Sequence, residues 1–194
     1  MPTRAGLVMV LLALASGACT PAPGDGATSY PARVLIIRHA EKPAVGEGLT
    51  EAGEQRAEAL PRLFKKTPGR PEPLPTPDFI IAASDTKRSR RSSLTVAPLA
   101  KELGLKVNPA YANGDFAKLA RDLLRDPRYA GKTVLICWHQ GTIPELARKL
   151  KAADAPANWK ASAFDRVWRI DYDEAGKATT RNLPQRLLEG DAAR

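Results

Sequence analysis

Histidine occurs only twice in this chain of 194 residues, and each histidine ends a short apolar run. His39 closes residues 34–39, and His139 closes residues 134–139. Runs rich in Val and Ile, separated by helical patterns, predict parallel strands that are buried on both faces. Ligands of such sheets bind at the carboxyl ends of the strands. We therefore expect both imidazoles to point into one crevice.

Arginine and serine follow the same predicted strands. Arg38 directly precedes His39, while Ser84 follows another apolar run, residues 78–83, and Arg88 comes shortly after it. Guanidinium groups match phosphoryl oxygens as fixed forks, and nearby helix N-termini add backbone donors. An imidazole nitrogen can attack phosphorus and leaves readily afterwards. These residue types predict a phosphate site that contains a nucleophile.

Four segments resemble the signature of the histidine phosphatase superfamily, the phosphoglycerate-mutase-like proteins. Residues 38–41, Arg-His-Ala-Glu, resemble its Arg-His-Gly-Glu motif, and residues 49–53, Leu-Thr-Glu-Ala-Gly, resemble its Leu-Thr-x-x-Gly helix start. Residues 84–88, Ser-Asp-Thr-Lys-Arg, are similar to its Ser-Pro-x-x-Arg segment, and residues 139–142, His-Gln-Gly-Thr, to its His-Gly-Gly-Thr. The resemblance implies a metal-independent phosphoric monoester hydrolase that needs no cofactor.

The resemblance also implies a role for each residue of the predicted site. His39 would be transiently phosphorylated. Arg38, Arg88 and His139 would hold the phosphoryl oxygens and stabilise the charge of the transition state. Replacement of family glycines by Ala40 and Gln140, and of the family proline by Asp85, removes no reacting group. We expect these departures to affect the choice of substrate.

A general acid must protonate the leaving oxygen and then activate water. In the family a carboxylate on a mid-chain segment does this, and Asp115 is the best-placed candidate here. Asp115 also lies where a helix N-cap is expected, so capping is an alternative explanation for it. Glu41 is the second candidate, and its alternative role is to orient the pocket through hydrogen bonds.

The elements that position these residues predict an α/β fold. It is a three-layer α/β/α sandwich with a mostly parallel central sheet and an antiparallel edge hairpin. Thr50 is the expected N-cap of a first helix that Pro61 kinks or ends. A second helix is expected to end at Gly104, before a short strand at residues 105–107. Further elements are a helix after Asp115, a strand at 132–138, a helix from a Thr142–Glu145 capping box to about 151, and a hairpin at 167–172 and 177–181.

The amino terminus predicts export. Arg4 precedes an apolar stretch at residues 7–15, which is too short to span a bilayer but suits a signal peptide. Small residues then lead into Cys19, as in bacterial lipoproteins, although ordinary signal-peptidase cleavage is the alternative. We expect a signal peptide at 1–18, a flexible tether at 19–30 and a single domain at 31–194. The expected location is periplasmic, with a lipid anchor on Cys19, while Cys137 is expected to be a buried apolar side chain.

The formal net charge is +9 and falls by one without the signal peptide, whose only charged residue is Arg4. A basic surface attracts nucleic acid, anionic lipid or phosphorylated molecules. Export argues against nucleic acid, which leaves a phosphorylated small molecule or an envelope glycolipid as substrate. Two alternatives stay open: a non-catalytic lipoprotein that binds phosphorylated sugars or anionic lipid, and a metallohydrolase using both histidines and a carboxylate.

Overall fold

A computed structural model describes Met1 and residues 30–192 of the chain. Apart from Met1, the predicted signal peptide lies outside the described residues, as do Cys19 and most of the predicted tether. Within the described part, none of the helices has the length and apolar character needed to cross a membrane.

Six strands form one sheet in the order β3-β2-β4-β1-β5-β6. Strands β3, β2, β4 and β1 are parallel, and β5 and β6 add an antiparallel hairpin at one edge. The strands are β1 Arg33–Arg38, β2 Phe79–Ala83, β3 Val107–Tyr111, β4 Thr133–Trp138, β5 Arg166–Tyr172 and β6 Ala178–Pro184. The α-helices are α1 Glu51–Ala59, α2 Arg91–Leu103, α3 Phe116–Arg125 and α4 Ile143–Lys149, and 3-10 turns cover Leu60–Phe64, Asn113–Asp115 and Pro127–Tyr129.

The helices cover both faces of the sheet, because the side chains of β1 alternate between two buried clusters. Leu35 and Ile37 pack with apolar residues of α1 and α2. Val34 and Ile36 pack with those of α3 and α4. Complete burial of such a side chain contributes about 1.5–3 kcal/mol relative to exposure. The predicted three-layer α/β/α sandwich is confirmed.

The register of the central strands brings the two histidine-bearing ends together. Strand β1 pairs with β4 so that Ile37 lies opposite Cys137 and Arg38 opposite Trp138. The next residue on each strand is a histidine, and the backbone N–H of His39 continues the ladder by donating to the carbonyl of Trp138 at 2.9 Å. Cys137 is buried, as expected for an apolar position.

Local signals set the ends of several elements. The Thr50 hydroxyl accepts from the N–H of Gly53 at 3.2 Å, which confirms the predicted N-cap of α1. Helix α1 gives way at Leu60–Phe64 to a 3-10 turn that contains Pro61, as the sequence predicted. Gly104 ends α2 with φ +65, in the left-handed region where glycine is favoured.

Two local predictions are wrong. Strand β3 is not at 105–107 but at Val107–Tyr111, and it lies at the sheet edge, where Pro109 is tolerated. Thr142 and Glu145 do not form a capping box. The Thr142 hydroxyl instead donates to Asn113 Oδ1 at 2.7 Å, and Glu145 accepts from Arg148 at 2.8 Å.

Candidate active site

His39 is fixed by hydrogen bonds at the carboxyl end of β1. The residue is only 3% exposed, and the N–H of the following residue, Ala40, donates to the Thr95 hydroxyl at 2.8 Å. The Nδ1 atom of His39 lies 2.7 Å from the carbonyl oxygen of Ala40. Since a carbonyl can only accept, Nδ1 carries the proton in this contact, and the lone pair of the neutral ring is then on Nε2. The tautomer that a nucleophilic Nε2 requires is therefore the one favoured here.

The surroundings of His39 keep its ring neutral. Burial lowers its pKa to about 4, the hydrogen bond with Ala40 opposes this, and the charges of His139, Arg38 and Arg91 reinforce it. At neutral pH the imidazole is thus neutral, with its single N–H proton on Nδ1. A protonated ring would have no lone pair with which to attack phosphorus.

His139 stands beside His39, as the sequence predicted. The centres of the two rings are 5.2 Å apart, with the planes at 67° in an edge-to-face arrangement. Burial lowers the pKa of His139, and the charges of Arg91 and Arg38 lower it further. The two imidazoles therefore lie side by side in a positive electrostatic environment.

Arg38 is a buried cation whose Nε donor is buried and unpaired within the described part of the chain. Its Nη1 donates to the carbonyls of Ala161 at 2.5 Å and Ala163 at 3.3 Å, and its guanidinium lies 3.7 Å from the centre of the Phe164 ring. Its Nε is buried without a hydrogen-bond partner among the described residues. Burial lowers the pKa of Arg38 to about 10, although the charge of Glu41 opposes this. An unsatisfied buried donor costs about 1–3 kcal/mol, which a bound anion can recover.

Residues 161–164 were not predicted as part of the site. They lie between α4 and β5, in a segment with no helical or strand periodicity. Their contribution is two backbone carbonyls and one ring beneath Arg38, and the carbonyls carry no sequence signature. Only the antiparallel pairing of β5 with β1, which returns the chain to the end of β1, places this segment beside Arg38.

In the described part of the chain, Arg88 makes no hydrogen bond, ion pair or ring contact with His39 or His139. Its side chain is exposed and borders a surface cleft with Gly46, Glu47 and Lys87. Its charge is absent from the influences on the pKa of His39 and of His139. The role of Arg88 in holding phosphoryl oxygens stays a prediction, and the geometry favours a different arginine.

That arginine is Arg91, the first residue of α2, which the sequence analysis missed. Its charge acts on both histidines. Its Nη2 donates to the carbonyl of Gly46 at 2.5 Å and its Nε to that of Gly48 at 3.3 Å, so the loop before α1 fixes the guanidinium. One helical turn separates Arg91 from Thr95, whose hydroxyl holds the Ala40 N–H, a contact that the sequence alone does not reveal.

Asp115 is exposed and caps the turn before α3. Its Oδ2 accepts from the N–H of Ala112, the residue before that turn, at 2.9 Å. Asp115 precedes α3, but its side chain accepts no hydrogen bond from the first turn of that helix, so the expected N-cap role is not observed. The same turn contacts the loop after His139, because Asn113 accepts from Thr142. Asp115 thus lies on a segment joined to the candidate site, and its role as general acid stays a prediction.

Glu41 has both carboxylate oxygens bound by one arginine. The Nε of Arg56 donates to Oε1 at 2.9 Å and to Oε2 at 3.1 Å, and its Nη2 donates to Oε1 at 2.8 Å. A carboxylate held in this way orients its neighbours more readily than it exchanges protons with a substrate. The geometry favours the orienting role for Glu41.

The described residues contain no group of three or more His, Cys, Asp or Glu side chains arranged to hold a metal ion. The charged side chains that influence the pKa values of both His39 and His139 are Arg38 and Arg91. With a neutral imidazole, two fixed guanidinium groups and a free Nε donor, the pocket is suited to a compact anion with several oxygens.

The fold is similar to that of solved phosphatases, whereas no protein-family model and no curated protein matches the sequence. The protein histidine phosphatase SixA complexed with tungstate superimposes with a TM-score of 0.54 at 16% identity, over 79% of this chain and 97% of that one. The mycobacterial glucosyl-3-phosphoglycerate phosphatase with inorganic phosphate gives 0.50 at 16% identity, over 78% and 95%. The alpha-ribazole phosphatase from Shigella flexneri gives 0.50 at 17% identity, over 80% and 98%. The chain has the phosphoglycerate-mutase-like fold of the histidine phosphatases.

Proposed function

We propose that the protein is an exported phosphatase that hydrolyses a phosphate monoester through a phosphohistidine intermediate on His39. One observation carries the proposal: a buried, neutral histidine presents Nε2 beside a second histidine, in the field of two arginines. Its Nδ1 is occupied by the Ala40 carbonyl, and its ring centre lies 5.2 Å from that of His139. Solved phosphatases of the same fold support the reaction class.

The proposed reaction has two displacements at phosphorus. First, His39 Nε2 attacks, the ester P–O bond breaks, and the leaving oxygen takes a proton from the general acid, for which Asp115 is the candidate. Second, water attacks the phosphohistidine and gives a proton to the same carboxylate, the P–N bond breaks with its electron pair returning to Nε2, and inorganic phosphate leaves. Arg38, Arg91 and His139 stabilise the phosphoryl oxygens in both steps, as preorganised donors do in other transition states.

The proposed substrate is a phosphorylated small molecule or a glycolipid of the cell envelope. The apolar run at residues 7–15 and the small residues before Cys19 support export, with the periplasm as the proposed location. A lipid on Cys19 would hold the domain at a membrane. The net positive charge of the chain suits anionic substrates. Nucleic acid is not proposed as a partner.

Hydrolysis of p-nitrophenyl phosphate by the purified protein and its His39→Ala variant tests the proposal. We expect turnover by the natural protein, loss of turnover in the variant, and an acid-labile phosphoryl label that depends on His39. Labelling of His139 in place of His39 would contradict the assignment of the nucleophile.

The same assay separates the two alternatives. Binding of phosphorylated sugars or anionic lipid without turnover, over a panel of envelope and soluble phosphate esters, would favour the non-catalytic lipoprotein. Loss of turnover in EDTA and its recovery with zinc would favour the metallohydrolase. We expect EDTA to leave turnover unchanged.

A further inference from the structure

A buried arginine outside the phosphoryl pocket joins two carboxylates from distant parts of the chain. Arg56 of α1 is only 4% exposed. Besides its three bonds to Glu41, it donates from Nη1 to Asp191 Oδ2 at 2.9 Å and from Nη2 to Asp191 Oδ1 at 2.7 Å. Burial opposes the charge of Arg56, but the hydrogen bonds with Asp191 and Glu41 raise its pKa. The proposed reaction uses neither Arg56 nor Asp191.

Asp191 also organises the end of the described chain, residues 185–192, here called the C-terminal segment. Its side chain is only 5% exposed, and its Oδ2 accepts from the N–H groups of Leu187 at 2.8 Å and Leu188 at 3.2 Å. One carboxylate therefore closes a turn of the C-terminal segment and binds Arg56. Gln185 adds a further acceptor, with Oε1 at 3.3 Å from Arg56 Nη1.

The C-terminal segment is joined to the site by a second route, through Asp165. The N–H of Gln185 donates to the Asp165 carbonyl at 2.7 Å, and the N–H of Ala192 donates to its carboxylate at 2.7 Å. Asp165 directly follows Phe164, whose ring lies against Arg38. The segment thus contacts the neighbours of both members of the Arg38-His39 pair.

We propose that Arg56 and Asp191 are positioning residues through which the C-terminal segment sets the geometry of His39 and Arg38. Glu41 lies two residues after His39, and its carboxylate is fixed by the same guanidinium that binds Asp191. A buried ion pair adds little net stability against an apolar replacement, but loss of one partner leaves an uncompensated charge that the surroundings must rearrange to solvate. The pair is therefore better suited to fixing a geometry than to stabilising the fold.

The test uses the full chain with Asp191→Asn, which is nearly isosteric. The amide removes the negative charge, and it cannot accept from Leu187, Leu188 and Arg56 together as the carboxylate does. Glu189→Gln is the matched control. It makes the same change of charge in the same segment, at an exposed side chain for which the structure shows no hydrogen bond or ion pair.

The main measurement is the titration of the His39 imidazole by NMR, which is tractable because the chain has only two histidines. Replacement of His139 by Gln assigns the two signals. In Asp191→Asn we expect the pKa of His39 to rise from about 4 toward its ordinary 6.5, because a loosened site admits water. Glu189→Gln should keep the natural value. This measurement does not depend on phosphatase activity, so it stands even if the proposed function fails.

Activity gives the second measurement and rests on the proposed function. Misplacement of the nucleophile should lower kcat at least tenfold and change KM less, because geometry near the reacting atoms affects the transition state most. An Asp191→Asn variant with unchanged His39 titration and unchanged kcat would overturn the proposal.

Two further variants separate positioning from general stability. Leu103→Ala removes a partly buried side chain at the opposite end of α2 from Arg91 and should lower Tm without moving the His39 pKa. An equal movement of that pKa in Leu103→Ala would refute a specific role for Asp191. If Asp191→Asn does not fold, Arg56→Lys is the substitute variant. It keeps the positive charge but loses the planar guanidinium that binds Glu41 and Asp191 together. A folded Arg56→Lys protein with an unchanged His39 pKa would also overturn the proposal.

Discussion

At acid pH, holding His39 in its neutral form lowers the free energy of unfolding of the protein. The pKa of His39 is about 4 in the folded chain and 6.5 in the unfolded reference, so between these values the unfolded state binds more protons. Stability from this group is complete above pH 6.5 and is lost as the pH falls toward 4. The loss arises because the buried pocket resists the charge that the unfolded histidine takes up.

We expect the low pKa of His39 to reduce the free energy of unfolding by roughly 2–3 kcal/mol between pH 7 and pH 4.5. Urea unfolding of the natural protein and of His39→Gln at both pH values isolates this reduction, because carboxylate titrations contribute to both proteins. The natural protein should lose more stability than the variant. Equal losses would mean that His39 is not held neutral.

The two candidate arginines can be ranked by kinetics. Arg91 acts on both histidines, whereas Arg88 borders a surface cleft. We expect Arg91→Ala to lower kcat/KM about 10²–10³-fold, the usual effect of removing one preorganised donor. Arg88→Ala should cost less than tenfold. Circular dichroism of both variants controls for folding, and the opposite ranking would restore Arg88 as the phosphoryl ligand.

Sequence analysis could find the histidines but not the second arginine, for a physical reason. His39 and His139 follow strands of equal length whose apolar pattern fixes both their burial and their register. Arg91 follows a loop, residues 84–90, whose path depends on isolated contacts such as the Thr86–Ser89 bridge. The motif spacing counted from Ser84 therefore predicts Arg88 as the phosphate-binding arginine. The structure instead favours Arg91, because α2 begins at that residue.

At the scale of elements, helix α1 packs against the loop after His39 through a glycine. A Cβ on Gly53 would lie 2.4 Å from the carbonyl oxygen of Glu41, far inside van der Waals contact. That carbonyl also accepts from the N–H of Thr50 at 3.0 Å, so it cannot move away freely. Close backbone contact explains why the segment resembling Leu-Thr-x-x-Gly ends in glycine.

We expect Gly53→Ala to destabilise the protein by about 1–3 kcal/mol, despite the better helix propensity of alanine. Displacement of the Glu41 carbonyl should also reduce turnover. Gly48→Ala is the control, because a Cβ there would meet nothing within 4 Å. Thermal unfolding of both variants provides the measurement, and equal Tm values for the two would contradict the packing argument.

Elements with a local hydrophobic or capping pattern could be predicted from the sequence. Elements whose position depends on contacts with distant parts of the chain could not. The buried strands β1, β2 and β4 and the N-cap of α1 carry local signals that tertiary contacts reinforce. Strand β3 contains Pro109 and is ordered by its position at the sheet edge, and residues 161–164 are ordered by Arg38. Their positions depend on long-range pairing, which periodicity does not encode.

At the scale of the whole molecule, two different forces could hold the protein at a membrane. The first is a lipid on Cys19. The second is attraction between anionic headgroups and a basic chain, whose formal charge of +9 falls by one when the signal peptide is removed. The two respond differently to salt. At 1 M ionic strength the Debye length is about 3 Å, so surface attraction is largely screened, whereas burial of acyl chains is not.

We expect the natural protein, expressed in a bacterium with a lipoprotein pathway, to remain in the membrane fraction after a 1 M salt wash. Cys19→Ser should move to the soluble periplasmic fraction. Cys137→Ala is the control, because Cys137 is buried in β4 and its loss removes a thiol without changing the anchor.

The fraction that contains the natural protein distinguishes the two forces. Release by salt would assign membrane association to charge. A natural protein that is soluble without salt would indicate ordinary signal-peptidase cleavage. Retention through the salt wash would place the candidate site within one tether length of the bilayer, where a phosphorylated envelope lipid, one of the proposed substrates, would have a high local concentration.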